Sequence, residues 1–345
     1  MLTLSLSFVG LSAVIVAAAM FLAKFGDDIA DRTGLGGSVT GLVLLAGATS
    51  LPELSVGYAA TSMGAPDLTA GGVLGSSLIN LLILALVDLI SRKPGQILTR
   101  SAADHALSAT VGALLTGLIL LGIILDNSWT GWLCIGPCSW AVIAAYALCA
   151  RLIYLNEKEA DDGEEESQEK ESNNARAVLL SFLGFLASTA VIFVVAPMVA
   201  SRADEIAAVT GLGQTFIGTL LVAAVTSLPE AVSTISAVRL GAVDMAIGNI
   251  FGSNAFNMVI LAVLDFSMAE SLLNSVAETH AITAVCVLIT TAVGLMCILY
   301  QPKKRWWLFE PDALLVACLV VGALYLVYVY GTVETMPAAG AVAAP

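Results

Sequence analysis

Two glutamates, Glu53 and Glu230, stand inside long apolar runs, each closing the same five-residue phrase. Thr49-Ser50-Leu51-Pro52-Glu53 recurs as Thr226-Ser227-Leu228-Pro229-Glu230, 177 positions later. An unpaired acid at the centre of a membrane costs about 2.5–3.5 kcal/mol, and the default reading of such a residue is function. No Lys or Arg stands beside either glutamate to neutralise it. A cation between the two carboxylates removes both the cost of burial and their mutual repulsion, and a divalent one balances the formal charge. Thr49, Ser50, Thr226 and Ser227 add hydroxyl oxygens. Pro52 has no N–H and clashes with the carbonyl four residues earlier, which frees carbonyls around Ala48 and Thr49. Orphaned carbonyls at membrane depth must face protein, water or an ion. The result is an all-oxygen donor set, the kind that hard cations such as Na⁺ and Ca²⁺ take.

The register of the repeat holds on both sides of the phrase. Asp27 aligns with Asp204, Gly41 with Gly218, Asp67 with Asp244, Gly75-Ser76 with Gly252-Ser253, Asn80 with Asn257, and Asp88 with Asp265. About 27 of 64 aligned positions are identical. In the run after the first phrase, Gly71, Gly72 and Gly75 are expected to weaken the helix, with Ser76, Ser77 and Asn80 lining the interruption. Ser76 and Asn80 are four apart and share a helical face. The second copy offers Asn249, Ser253, Asn254 and Asn257. A lone Pro-Glu reads as a kink with a protonated or snorkelling acid. A duplicated one, followed each time by Asn 27 residues on, reads as a site. The candidate ligands are therefore Glu53, Glu230, Thr49, Ser50, Ser76, Asn80, Thr226, Ser227, Ser253 and Asn257. Asp67 and Asp244 open helices and suit the dipole there; Asp88 and Asp265 read as helix-end groups. His105 and His280 have no matching partners in the sequence.

The elements that must position these groups are membrane helices. The chain has 345 residues, 58% hydrophobic and 12% charged, with mean hydropathy +0.93, a composition that points to a polytopic membrane protein. Ten apolar segments are long enough to cross, near 3–24, 37–62, 67–90, 102–125, 129–154, 177–200, 213–239, 244–266, 277–299 and 312–332. The net charge of −13 is concentrated in residues 157–171, which hold nine acids and two lysines. It reads as a solvated tether and gives no reason to expect a nucleic-acid partner. With the N-terminus outside, 13 of the 14 Lys and Arg residues fall on the cytoplasmic side; only Arg202 does not. The first segment lacks the cationic start of a signal peptide and reads as a retained span. The expected fold is all-α, with ten transmembrane helices forming two inverted five-helix repeats: residues 1–154, an acidic cytoplasmic linker 155–176, and residues 177–345. An odd number of spans per repeat inverts the second copy, an architecture of many secondary transporters with the substrate site at the midplane. Both termini face the outside of a plasma (inner) membrane, and a monomer or weak homo-oligomer is expected. The six cysteines read as thiols in apolar surroundings rather than a metal site.

The motifs Ala48–Glu53 with Gly75–Asn80, and Val225–Glu230 with Gly248–Asn257, resemble the alpha-repeats of the calcium/cation antiporter superfamily, in its sodium/calcium exchanger branch. The resemblance spans the whole membrane body. It implies a diamond of cation sites built by spans 2, 3, 7 and 8. Glu53 and Glu230 look like the acidic Ca²⁺ ligands. Thr49, Ser50, Ser76, Thr226, Ser227 and Ser253 supply oxygens to Na⁺ or Ca²⁺, partly through backbone carbonyls, and Asn80 and Asn257 complete the middle. Spans 1 and 6 slide across this core. Position 257 is Asn where potassium-dependent members carry Asp, so K⁺ co-transport is not expected. Position 77 is Ser where its counterpart 254 is Asn. The phrase Ala-Thr-Ser-Leu-Pro-Glu, rather than the Gly-Asn-Ala-x-Glu of the proton-coupled branch, favours Na⁺ as driver. The expectation is a Na⁺/Ca²⁺ antiporter with no cofactor beyond the transported ions. Coupling to H⁺, or carriage of Mg²⁺ or Mn²⁺ on the same fold, is the alternative. An intramembrane hydrolase lacks an activated nucleophile or His-rich metal motif, and a channel does not call for inverted halves.

Overall fold

A computed structural model describes residues 1–33, 47–90, 102–125, 136–161, 175–241, 243–268, 270–299 and 313–334. Among these, all regular structure is helical. The helices are α1 (Leu2–Thr33), α2 (Leu51–Ser62), α3 (Pro66–Ile90), α4 (Ala102–Ile124), α5 (Pro137–Asp161), α6 (Ala175–Thr210), α7 (Gly213–Thr226), α8 (Leu228–Leu240), α9 (Val243–Leu264), α10 (Leu272–Ser275), α11 (Thr279–Leu299) and α12 (Ala313–Glu334). The described part of each of the ten expected spans is mainly helical. Seven are long and apolar enough to cross a membrane alone, and α7 with α8, bent by 44°, makes an eighth. In the second span residues 47–49 and α2 are described; Gly34, Gly36 and Gly41 lie outside the described residues, as do Trp129, Trp132, Trp306 and Trp307.

The duplicated phrase makes a duplicated break. Residues 47–49 are helical, Ser50 leaves the helix at φ −89°, ψ 7°, and α2 begins at Leu51. Ser227 does the same between α7 and α8, at φ −82°, ψ 1°. Both prolines then sit in the first turn of the new helix, where a missing N–H costs nothing. The new turns close through Leu54 N–H to Ser50 O (3.2 Å) and Ala231 N–H to Ser227 O (3.0 Å). The far ends match too: Gly64 and Gly241, again 177 apart, turn the chain at φ 76° and 83°, a conformation open to glycine.

The glycines of α3 do something other than the sequence suggests. α3 and α9 run unbroken through Gly71-Gly72-Gly75 and Gly248-Gly252. What glycine supplies in α3 is closeness. A Cβ at Gly75 would lie 2.5 Å from the Thr219 carbonyl oxygen, and one at Gly218 would lie 2.8 Å from that of Leu68. α3 and α7 therefore pack backbone to backbone, and at that crossing α7 widens into a π-helical turn, Gly218–Val222, a bulge often found at functional sites.

α3, α7 and α9 form the centre. In the membrane-length window of α9, 78% is buried, against 17% for α6. α4 and α11 close one side of α9 (Leu115, Ile119, Met258, Leu261 and Ala284 share one core). α12 and α11 cover α3 through Leu78, Leu81, Val287, Val316 and Val320. α1 and α6 pack along one another and against the opposite face of the centre, with Ile15, Val56, Leu68, Val199 and Ala203 in a third core.

Candidate cation site

All ten candidate ligands are buried, none more than 3% exposed, Glu53 at 3% and Glu230 at 0%. They come together where the breaks before α2 and α8 meet the middles of α3 and α9. Each glutamate lies in the first turn of its helix. The helix's positive end offsets roughly half an elementary charge there, which leaves the rest of each charge to another group.

Contacts run across the repeats. Ser50 Oγ–H donates to Glu230 Oε1 at 3.4 Å, and Ser76 Oγ lies 3.0 Å from Thr226 Oγ1. Thr226 donates its proton to the carbonyl of Val222, one turn back, so the hydroxyl between them comes from Ser76. The hydroxyls beside Glu53 are thus already committed, and neither Glu53 oxygen has a hydrogen-bond partner. The same holds for Glu230 Oε2, Asn80 Oδ1, Asn257 Oδ1, Ser227 Oγ and Ser253 Oγ. Buried polar atoms normally find partners. Here a whole set of acceptor and hydroxyl oxygens from four elements is left for something that brings positive charge. Among the described residues no group of three or more His, Cys, Asp and Glu side chains could hold a metal, so the donors are two carboxylates and neutral oxygens. That suits a hard cation and gives no sulfur or imidazole preference for a transition metal.

A family model described as sodium/calcium exchanger protein matches residues 3–151 and 180–334. The chain belongs to the sodium/calcium exchanger protein family. It is 27% identical over 305 residues to inner membrane protein YrbG of Escherichia coli (strain K12), covering 88% of this chain and 91% of that protein. A 100-residue stretch is 38% identical to sodium/calcium exchanger MaX1 of Methanosarcina acetivorans, covering 28% of this chain and 27% of that one. Among solved structures, the sodium-calcium exchanger NCX_Mj soaked with 2.5 mM Na⁺ and 1 mM Sr²⁺ superposes with TM-score 0.62 at 21% identity, covering 94% of this chain and 99% of that one. Native YfkE superposes with TM-score 0.60 at 17% identity, covering 93% and 92%. These likenesses carry the fold of this multi-pass membrane protein.

The two halves of this candidate site are not equal. Behind Glu230, Asn249 Nδ2 reaches Ser233 Oγ (2.9 Å) and Thr234 Oγ1 (3.1 Å), and Ser233 donates to the Glu230 carbonyl at 3.0 Å. The counterparts of Ser233, Thr234 and Asn249 are Val56, Gly57 and Gly72. There, beside Glu53, lies a cavity of about 10 Å³ lined by these three with Thr69, Val222 and Thr226, about the room of one water-sized sphere. Asn249 stands out in the sequence as a polar residue of the second copy; comparing the 177-residue partners for polarity, rather than identity, would have found Ser233 and Thr234 as well.

The outer polar residues also find places in the fold. His280, which has no counterpart in the repeat, has a partner in space: its Nε2 lies 3.2 Å from Asp67 Oδ1 and 3.4 Å from Thr215 Oγ1, and Asp67 also caps the Ala277 N–H at 2.6 Å. Asp67 and Asp204 line a cavity of about 560 Å³ with Gln214 and Thr215. Asp265 is fully buried and accepts from Gly136 N–H (3.0 Å) and Leu272 N–H (2.5 Å), so it ties helix ends together.

Proposed function

We propose that the protein is a secondary active antiporter that exchanges Na⁺ for Ca²⁺ by alternating access, without K⁺. The observation that carries this reading is the pair of buried carboxylates, Glu53 and Glu230. They come from two copies of one phrase, lie in one buried cluster, and are surrounded by oxygens left without a hydrogen-bond partner. A divalent cation neutralises the pair. Sodium ions, with the same preference for oxygen, compete for the same hydroxyls and carbonyls. Binding of one cargo therefore excludes the other, which is the condition for exchange rather than co-transport. The match to the exchanger family supports this choice of ions. Glu53, Glu230, Thr49, Ser50, Ser76, Asn80, Thr226, Ser227, Ser253 and Asn257 are the ligands in this reading. The chain works in the plasma (inner) membrane as two inverted repeats, with both termini outside, loop 155–176 in the cytoplasm, and no requirement for a stable oligomer.

The test is ⁴⁵Ca²⁺ uptake into proteoliposomes loaded with Na⁺, with and without K⁺, and with the Na⁺ gradient replaced by a pH gradient. Uptake driven by Na⁺ and indifferent to K⁺ is expected. Uptake driven only by the pH gradient would replace Na⁺ by H⁺ as the coupling ion, and uptake of Mn²⁺ or Mg²⁺ in preference to Ca²⁺ would change the cargo.

A further inference from the structure

Between the two carboxamides of the site stands a hydrogen-bond array that the candidate ligand set does not include. Asn80 Nδ2 donates to Asn254 Oδ1 at 3.0 Å, Asn254 Nδ2 donates to the Ser77 backbone carbonyl at 3.1 Å, and Asn257 Nδ2 donates to Ser77 Oγ at 3.4 Å. Ser77 and Asn254 are 177 apart and so are Asn80 and Asn257. The first and third bonds are thus images of one another under the internal two-fold, and the second joins two residues that are each other's counterparts. The array sits on the pseudo-symmetry axis, between α3 and α9, and every member is at most 4% exposed.

Its polarity is forced by two backbone carbonyls. The Ser77 carbonyl can only accept, so Asn254 must turn its amide nitrogen toward it and its oxygen the other way. That oxygen can only accept, so Asn80 must present its nitrogen. Likewise Ser77 Oγ–H donates to the Val73 carbonyl, so toward Asn257 its oxygen accepts, and Asn257 must present its nitrogen. Both carboxamide nitrogens are thereby consumed, and Asn80 Oδ1 and Asn257 Oδ1 are the atoms left without protein partners. An amide that could rotate would offer a cation an N–H₂ group half the time, which repels it.

We propose that Ser77 and Asn254 are positioning residues of the cation site: they lock the carboxamides of Asn80 and Asn257 with their oxygens toward the ion and their nitrogens away. This rests on the cation-binding reading above, and it adds a specific division of labour. The ligand oxygens belong to Asn80 and Asn257, while their orientation belongs to Ser77 and Asn254, which touch no ion. Outer partners of this kind commonly set affinity without supplying a ligand.

The test uses the full chain purified in detergent, with the rise of its melting midpoint against CaCl₂ as the binding readout, and Na⁺-driven ⁴⁵Ca²⁺ uptake in proteoliposomes alongside. Asn254→Ala removes the acceptor of Asn80, and Ser77→Ala removes the acceptor of Asn257. Each is expected to raise the half-saturating Ca²⁺ concentration about tenfold in both readouts, with maximal uptake at saturating Ca²⁺ kept within about threefold. The exchange S77N/N254S puts the spanning amide on the other repeat and is expected to return half-saturation to within about threefold of wild type. A purely structural role would instead lower the melting midpoint without Ca²⁺ and leave half-saturation alone. Ser77→Ala deletes a single oxygen and carries the test if Asn254→Ala does not fold. Wild-type half-saturation in Ser77→Ala, or a swap no better than Asn254→Ala, overturns the positioning role. A wild-type protein that itself shows no response to Ca²⁺ overturns the cation-binding reading instead.

Discussion

Gly75→Ala separates two accounts of the same residue by sign. If the glycines of α3 existed to weaken it, alanine would strengthen the helix by about 0.8–1.0 kcal/mol. The structure predicts the reverse. A methyl at position 75 falls 2.5 Å from Thr219 O, 2.6 Å from Thr219 Cα and 2.9 Å from Ala223 Cβ. The first two are main-chain atoms of α7 and cannot swing aside. Restoring an ordinary contact of about 3.4 Å requires α3 and α7 to part by ~0.9 Å, and overpacking of this kind costs about 1–3 kcal/mol. The separation acts where the site is assembled. Ser76, the next residue, lies 3.0 Å from Thr226, and a rigid shift of ~0.9 Å takes that pair to ~3.9 Å, past hydrogen-bond range. Displacements near 1 Å in a preorganised site cost about 10²-fold in enzymes, so Na⁺-driven Ca²⁺ uptake is expected to fall at least ~10-fold. Gly117→Ala is the control, because nothing stands within 4 Å of its Cβ position in α4. It should leave uptake unchanged and melting equal or slightly higher. Gly75→Ala with the melting point and uptake of Gly117→Ala would refute the close-packing argument.

The glutamates should be indispensable: E53Q or E230Q leaves a divalent ion facing one carboxylate, and uptake is expected to fall below ~1% of wild type; near-normal uptake in both would remove them from the site. Pro52→Ala and Pro229→Ala restore an N–H opposite the Ala48 and Val225 carbonyls, straighten the breaks at Ser50 and Ser227, and should raise the melting midpoint while lowering uptake; unchanged uptake would show that the breaks are incidental. Asn257→Asp adds a third buried carboxylate, one more charge than a divalent ion balances. Ca²⁺ uptake by this variant should come to depend on pH or on K⁺, and uptake indifferent to both counts against a site of fixed charge. His280→Ala deprives Asp67 and Thr215 of a buried partner and should cost about 1–3 kcal/mol of stability with the Ca²⁺ half-saturation unchanged. A shift in half-saturation instead would tie the outer cluster to the cation site.

The breaks, and the meeting of the two repeated phrases in one buried cluster, were legible because each rests on a local rule stated twice. A proline removes an N–H wherever it stands, and a 177-residue period points to the same consequence in both copies. The role of the α3 glycines was not legible. Whether a glycine loosens its own helix or admits a neighbour depends on what lies opposite, and the neighbour of Gly75 is Thr219, 144 positions away. The His280–Asp67 pair was hidden for the same reason, since a periodicity search matches residues to their copies and His280 has none. Ser233 and Thr234 fell between the two methods. They are polar where their counterparts are small or apolar, and attention to identity passes over such differences. The π-helical turn in α7 has no sequence signal that we can name.

The unequal halves bear on how a duplicated site can work. Exact two-fold symmetry pairs Ser50–Glu230 with Ser227–Glu53, and Ser76–Thr226 with Ser253–Thr49. Only the first of each pair is formed; Ser227 Oγ, Ser253 Oγ and both Glu53 oxygens have no partner. On the axis, by contrast, Asn80–Asn254 and its image Asn257–Ser77 are both made. A site with none of the symmetric contacts would lack preorganisation. Here the bonds that join Asn80 to Asn254 and Asn257 to Ser77 are both made, while the contacts at the two glutamates are made in one half only. Under the antiport proposed above, alternating access calls for two states related by the repeat, and the repeated Thr-Ser-Leu-Pro-Glu is the feature that would let the off-axis contacts pass from one half to the other.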